Sequence, residues 1–323
     1  MKEPIAPWPG RFIDLGKLTM HVRSTPDGPS ETGVFVHGLA GSATNWTDLM
    51  AELSDVITGY AVDLPGAGYS PPPPDNDYSV TGHARAVIAF LEHLVAERGG
   101  RPVHLFGNSL GGAVGVRVAA TRPDLVRTLT LVAPALPHIV PRRGPARIAF
   151  SATPRIGDWV VSQLFRHMSP EKRVRATMAM CYADPSRVHP ARVAEAVAEQ
   201  RRRDELPYAG PALVESARGI VFEYLKEYAP WYANRGGMDG SLWRQAARVQ
   251  APTLAVYGLH DRLVHPRSAV RAARTFPDIR VVMLPHAGHT AQSEFPDVVA
   301  REFRGLLRHA RVLEREVAGG RCA

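Results

Sequence analysis

Six short runs of the chain are apolar almost throughout: Gly33–Val36, Ile57–Val62, Val103–Phe106, Thr128–Val132, Thr253–Tyr257 and Arg280–Leu284. Between them lie stretches with helical spacing, among them Trp46–Leu53, Val80–Arg98 and Leu110–Thr121. Strands apolar on both faces and separated by helices predict a parallel sheet covered on each side. Ahead of these runs, Arg11–Val22 alternates around Gly16-Lys17, as a β-hairpin does. Pro71–Pro74 reads as an extended surface loop.

The rhythm breaks after the sixth strand. From Leu136 to Ala247 no strand pattern occurs, and four helical patterns each begin near proline: Pro154–Met168, Pro170–Tyr182, Pro190–Glu205 and Pro211–Tyr228. Proline suits a first helical turn, whose N–H groups lack intrahelical partners anyway. The expectation is an α/β core from residues 1–135 and 248–323, interrupted by a helical insertion over 136–247. Aromatic and aliphatic residues of the insertion, such as Trp159, Leu164, Phe165, Phe222 and Tyr224, recur at helical spacings and predict an apolar underside. The tail, Val317–Ala323, reads as frayed.

Chemistry enters at Gly107-Asn108-Ser109-Leu110-Gly111-Gly112, between the apolar run Val103–Phe106 and the helical run that follows. Ser109 is flanked by glycines at minus two and plus two, the spacing of a strand-to-helix nucleophile corner. Such a corner is tight, so its neighbours must be small. It also presents the hydroxyl at a helix N-terminus, where backbone N–H groups favour developing negative charge. Gly112 would let the helix approach the sheet.

Five segments together resemble the α/β-hydrolase superfamily: His37-Gly38, Asp63-Leu64-Pro65-Gly66-Ala67-Gly68-Tyr69-Ser70, the Ser109 corner, Gly258-Leu259-His260-Asp261 and His286-Ala287-Gly288-His289. The resemblance spans Arg11 to about Val312 and implies a mostly parallel sheet with helices on both faces and a helical cap over 136–247. It also implies a triad in the order Ser109, Asp261, His289, as nucleophile, acid and base. The oxyanion would be held by the backbone N–H groups of Leu39 and Leu110, beside Gly38. His286, three residues before His289, is the rival base. The loop Ala133-Pro134-Ala135-Leu136 offers no rival carboxylate, and Asp63 is read as a turn residue. His37 is read as structural, and His83 and His260 as surface or outer-layer residues. Asn45 and Trp46 follow the oxyanion loop, with packing the favoured role for Trp46.

Serine at the corner speaks against epoxide hydrolases and dehalogenases, which use aspartate there to form an alkyl-enzyme ester. The expected reaction is acyl transfer through Ser109 on a small or medium hydrophobic carboxylic ester. The alternatives are C–C bond hydrolysis of the meta-cleavage-product type and acyl transfer to another acceptor; a non-catalytic receptor ranks below these because all three triad residues are present. The corner and Gly288-His289-x-Ala291-Gln292-x-Glu294 are similar to the C–C hydrolases. Thr290 departs from them, standing where that family usually has tryptophan, and so does Leu39-Ala40-Gly41-Ser42, which is poorer in glycine.

Charge and composition narrow the picture further. The net charge is +8, and 136–247 carries 17 Lys/Arg against 11 Asp/Glu, or +6 of it. Its clusters, Arg142-Arg143, Lys172-Arg173-Arg175 and Arg201-Arg202-Arg203, read as solvated helix faces, with at most weak contact with an anionic surface. No nucleic-acid-binding motif and no membrane span occur. No metal or organic cofactor is implied: His/Cys spacing suggests no zinc site, and no glycine-rich loop carries a phosphate-binding Lys-Ser/Thr. Met1–Pro9 lacks the apolar core of a secretion signal, and Cys181 and Cys322 stand far apart, so the expected compartment is the cytoplasm.

Overall fold

Eight strands form one sheet in the order β1-β2-β4-β3-β5-β6-β7-β8. In this computed structural model residues 4–138, 163, 167–229 and 240–320 are described. The strands are β1 (Gly10–Asp14), β2 (Thr19–Ser24), β3 (Thr32–Val36), β4 (Thr58–Val62), β5 (Val103–Asn108), β6 (Val126–Val132), β7 (Thr253–Gly258) and β8 (Ile279–Leu284). The hairpin β1–β2 is antiparallel and joins β4 antiparallel; every later pairing is parallel.

Alternation along the strands separates two cores. Val34, Val36, Leu105, Ala255 and Tyr257 join one apolar cluster, under α2 (Val80–Glu97), α3 (Leu110–Thr121), α7 (Leu242–Ala246) and α8 (Ser268–Thr275). Phe35, Phe106, Leu254 and Val256 point the other way, under α1 (Thr47–Leu53), α9 (Ala291–Glu294) and α10 (Pro296–Gly320). There Phe35 stacks on Phe106 at 4.3 Å, and Phe303 of α10 tilts onto Phe106 at 4.8 Å. Burial on both faces explains why these strands read as continuous apolar runs.

Between β6 and β7 the described residues hold helices and one 3-10 turn, and no strand. They are α4 (Pro170–Cys181), α5 (Pro190–Asp204) and α6 (Ala209–Tyr228), followed by α7. Ser169 caps α4 and His189 caps α5, each with proline in the first turn. Arg142-Arg143, Trp159, Leu164, Phe165 and most of Pro154–Met168 lie outside the described residues.

Of the tail Val317–Ala323 expected to fray, residues 321–323 lie outside the described residues, and residues 317–320 instead continue α10, which runs to Gly320. Its apolar stripe, Val299, Phe303, Leu306 and Ala310, is buried at helical spacing. A helix docked over that length extends at little further cost. No described helix is long and apolar enough to cross a membrane.

Candidate active site

Ser109 follows β5 and opens α3 with φ 54° and ψ −115°, a conformation strained for a residue with a Cβ. Neighbouring backbone holds it there. Ser109 N donates to Val132 O at 3.1 Å, and Ser109 O accepts from Ala135 N at 2.9 Å and Ala113 N at 3.1 Å. Close approach dictates the surrounding glycines. A Cβ on Gly107 would lie 2.3 Å from Gly111 O, and one on Gly111 would lie 2.1 Å from Val36 O. On Gly112 it would strike Pro134, which is how that residue lets α3 reach the end of β6. Gly38 abuts the corner from the other side, its would-be Cβ 3.1 Å from Ser109 Cβ. The Ser109 side chain is half-buried rather than sealed.

Asp261 and His289 come from the loops after β7 and β8, and both are buried. His289 Nδ1 lies 2.9 Å from Asp261 Oδ2. Asp261 Oδ1 accepts from Leu263 N at 2.7 Å and Val264 N at 2.9 Å, so both carboxylate oxygens are engaged. A carboxylate can only accept, so the imidazole proton sits on Nδ1 and Nε2 is left as the basic nitrogen. The rival His286 and the neighbouring His260 are exposed.

Leu110 is the first residue of α3, where backbone N–H groups have no intrahelical partner. Leu39 is half-buried in the turn Gly38–Gly41, closed by Gly41 N donating to Gly38 O at 3.0 Å; Ala40 takes φ 60°. His37 fixes this turn, with Nδ1 bonded to Gly38 O at 2.8 Å and Nε2 accepting from Leu64 N at 3.0 Å. That arrangement requires a neutral ring, and burial holds its pKa below the ordinary value.

Asp63 is structural, as read from the sequence. It accepts from Ala43 N at 2.6 Å, His21 Nδ1 at 2.7 Å and Tyr69 N at 3.0 Å. Burial pushes its carboxyl up, but the His21 hydrogen bond, the nearby His37 and these N–H donors hold it below the usual range. Trp46 is buried in the core beside Phe35 and Asn45 is exposed. His83 is not a surface residue, so that half of its reading is corrected. It is 1% exposed on the buried face of α2, with Nε2 3.0 Å from Ser216 Oγ of α6.

Three features of the site were missed in the sequence. Asn108 Nδ2 donates to Val132 O and to His289 O, each at 3.1 Å, tying the nucleophile corner to the histidine loop. The end of α4 lies against that same loop, where His289 N donates to Cys181 O at 2.6 Å. Burial, with the Asp261 and Glu294 carboxylates, pushes the Cys181 thiol up to about 12, so no competing thiolate forms there. Finally, among the described residues Lys172, Arg175 and Arg201 are exposed as read, but Arg173, Arg192, Arg202 and Arg203 are half-buried and engaged rather than solvated. Arg192 forks onto Asp48 at 2.6 and 3.2 Å, and Arg203 donates to Ala40 O at 2.8 Å. Arg202 donates to Gly68 O and stacks on Tyr69 at 3.8 Å. Arg201 pairs with Glu171, and Arg173 with Asp204. Bonds of such reach leave no trace in local sequence pattern.

A family model described as alpha/beta hydrolase fold matches residues 34–296. The chain belongs to the α/β-hydrolase fold family. Among curated relatives, it is 28% identical over 302 residues to a 2-(acetamidomethylene)succinate hydrolase of Mesorhizobium japonicum, covering 92% of this chain and 94% of that one. It is 26% identical over 282 residues to a 2-hydroxy-6-oxononadienedioate/2-hydroxy-6-oxononatrienedioate hydrolase of Cupriavidus pinatubonensis, covering 86% of each. The solved 2-hydroxy-6-oxo-6-phenylhexa-2,4-dienoate hydrolase from a Rhodococcus strain superimposes with TM-score 0.71 at 20% identity, over 93% of this chain and 98% of that one. At that identity the likeness speaks for the fold. In this α/β-hydrolase the described residues between β6 and β7 hold the helices α4 to α7.

Proposed function

We propose that this α/β-hydrolase is a serine hydrolase working through an acyl-enzyme on Ser109, with a small or medium hydrophobic carboxylic ester as substrate. The observation that carries the reading is the 2.9 Å pair between His289 Nδ1 and Asp261, which leaves Nε2 basic on a loop bonded through Asn108 to the Ser109 corner. In this reading Ser109 Oγ attacks the ester carbonyl carbon while His289 Nε2 takes the hydroxyl proton. The N–H groups of Leu39 and Leu110 hold the tetrahedral oxyanion. Collapse breaks the C–O bond, and the departing alkoxide takes the proton from His289. Water then repeats the sequence on the acyl-enzyme and releases the acid. Asp261 stays ionised throughout and stabilises the imidazolium.

Residues 136–247 act as the cap, and specificity resides beneath them. In support, α4 and α5 reach both loops of the site, through Cys181 O to His289 and through Arg203 to Ala40. A second reading, C–C bond hydrolysis, is favoured by the Gly107–Gly112 corner and by the dioate hydrolase among the relatives. Acyl transfer to an acceptor other than water uses the same acyl-enzyme.

The test is labelling by an alkyl fluorophosphonate, followed by a panel of nitrophenyl esters of graded acyl length beside a vinylogous 1,5-diketone. Wild type is expected to label and to prefer the esters. Ser109→Ala is expected to lose the label and several orders of magnitude of turnover. An unlabelled wild type, or an active Ser109→Ala, would overturn the mechanism, and faster loss of the diketone chromophore would favour C–C cleavage.

A further inference from the structure

Glu294, at the end of α9, is half-buried five residues after His289 and has no part in the mechanism above. Its two carboxylate oxygens serve two different segments. Oε1 accepts from Gly288 N, just before the proposed base, at 2.8 Å. Oε2 accepts from Ala183 N, just past the end of α4, also at 2.8 Å. One carboxylate therefore bridges the histidine loop to the segment 181–183. Between these two bonds, His289 N donates to Cys181 O at 2.6 Å. The fit is close enough to exclude a side chain: a Cβ on Gly288 would lie 2.4 Å from Cys181 O and 2.6 Å from Ala183 N. Arg262, next to Asp261, fastens the same turn from the opposite side by donating to Ala179 O and Tyr182 O.

We propose that Glu294 is a positioning residue that sets both the placement and the charge environment of His289 and makes them depend on the docking of segment 181–183. This rests on the serine-hydrolase reading. The physical argument has two parts. Two backbone segments are held by one acid, so removing it frees the loop carrying the base, and a displacement of about 1 Å in a catalytic group costs on the order of a hundredfold in rate. In addition, Glu294 adds a second negative charge beside the base. Among the described residues, the ionisable and charged groups on the segments bonded to the His289 loop include Asp261 after β7, Arg262 beside it, Cys181 and Tyr182 at the end of α4, and Glu294. Burial, with the nearby Asp261 carboxylate, holds the Glu294 carboxyl above its ordinary value although N–H groups of Ala183, Gly288 and Thr290 pull it back. An anion there favours the imidazolium, so its loss makes the base release its proton more readily.

The experiment reads the second-order rate of inactivation by an alkyl fluorophosphonate against pH. In that reaction Ser109 Oγ bonds to phosphorus, fluoride leaves, and the serine proton passes to His289. No natural substrate is needed. For Glu294→Gln the plateau rate is expected to fall ten- to a hundredfold, roughly. Its acid limb is expected to move down by about one pH unit, since the charge is gone and one oxygen has become a donor. Glu294→Asp keeps the charge but is too short to bridge both N–H groups, so its rate falls while the limb stays. Thermal melting confirms that each variant is folded; if the Gln variant is not, an Asp variant inactivated at the wild-type rate overturns the inference. A folded Glu294→Gln whose limb does not move also overturns it while leaving the serine-hydrolase reading standing. A wild type that does not react overturns both.

Discussion

Asn108 and His289 are 181 residues apart, yet the Asn108 side-chain amide donates to the His289 carbonyl at 3.1 Å. Its other hydrogen goes to Val132 O at the end of β6, also at 3.1 Å. The residue before the candidate nucleophile thus joins β5, β6 and the loop after β8. Three strand ends meet at one buried amide, and the geometry between Ser109 and His289 depends on it. The arrangement requires two donors on one atom, which an amide nitrogen supplies.

Asn108→Asp keeps the shape and reverses the chemistry, leaving a carboxylate facing two carbonyl oxygens. Losing both bonds in a buried site costs about 1–3 kcal/mol for each unsatisfied group, and the repulsion displaces the histidine loop. Asn108→Ala loses the bonds without adding charge. The expected order of fluorophosphonate reactivity is wild type, then Ala, then Asp, with urea unfolding following the same order. An Asp variant as reactive as wild type would show that the bridge does not position the base.

Much of this architecture is legible in the sequence because it rests on local rules. Strands buried on both faces produce uninterrupted apolar runs, and a turn as tight as the one at Ser109 tolerates only glycine at 107 and 111. The starts of α4 and α5 are marked by Ser169-Pro170 and His189-Pro190, so proline located them closely. What the sequence conceals is long-range and chemically mixed. Arg203 to Ala40 O joins two segments that share no pattern, and the same arginine would read as a solvated residue on any amphipathic helix. The burial of His83 was concealed for a related reason: its partner, Ser216, lies on a helix whose docking cannot be inferred from either segment alone. The extra length of α10 came from its docked apolar stripe, a cooperative effect no single tail residue signals.

His83 makes the fold sensitive to acid. Burial holds its pKa down to about 3, so the native ring stays neutral where the unfolded one, near 6.5, takes up a proton. The folded value is depressed, so its stabilising contribution is complete above about pH 6.5 and is lost as pH falls from there towards 3. The slope contributed is at most about 1.4 kcal/mol per pH unit. His37 and His104, also lowered by burial, add in the same direction. His83→Gln is expected to flatten the decline in urea-unfolding stability between pH 7 and 4, whatever it costs at pH 7. An unchanged slope would mean that the native ring titrates normally.

Arg117 and Glu223 carry the last prediction, because they place a charge pair inside the junction of α3 and α6. Both side chains are 2% exposed, and Arg117 Nη2 lies 3.1 Å from Glu223 Oε2. Arg117 also donates to Gln245 Oε1 at 3.1 Å and to Thr81, and Glu223 accepts from Lys226 at 2.9 Å. The same face of α6 brings Ala212 to Gly66, Ser216 to His83 and Gly219 to Ser79, so residues 212, 216, 219 and 223 form one docking stripe. A buried pair of this kind contributes little over an apolar substitute of equal size, yet breaking it strands the survivor. Glu223→Ala is therefore expected to cost about 3–5 kcal/mol, since Arg117 keeps its charge without a counterion. Replacing both residues with methionine is expected to cost far less than the single change, and to be near neutral if the packing is filled. Urea unfolding of the two single variants and the double variant measures the coupling directly. Equal destabilisation by Glu223→Ala and by the double variant would show that the stranded Arg117 charge is not what the single change costs.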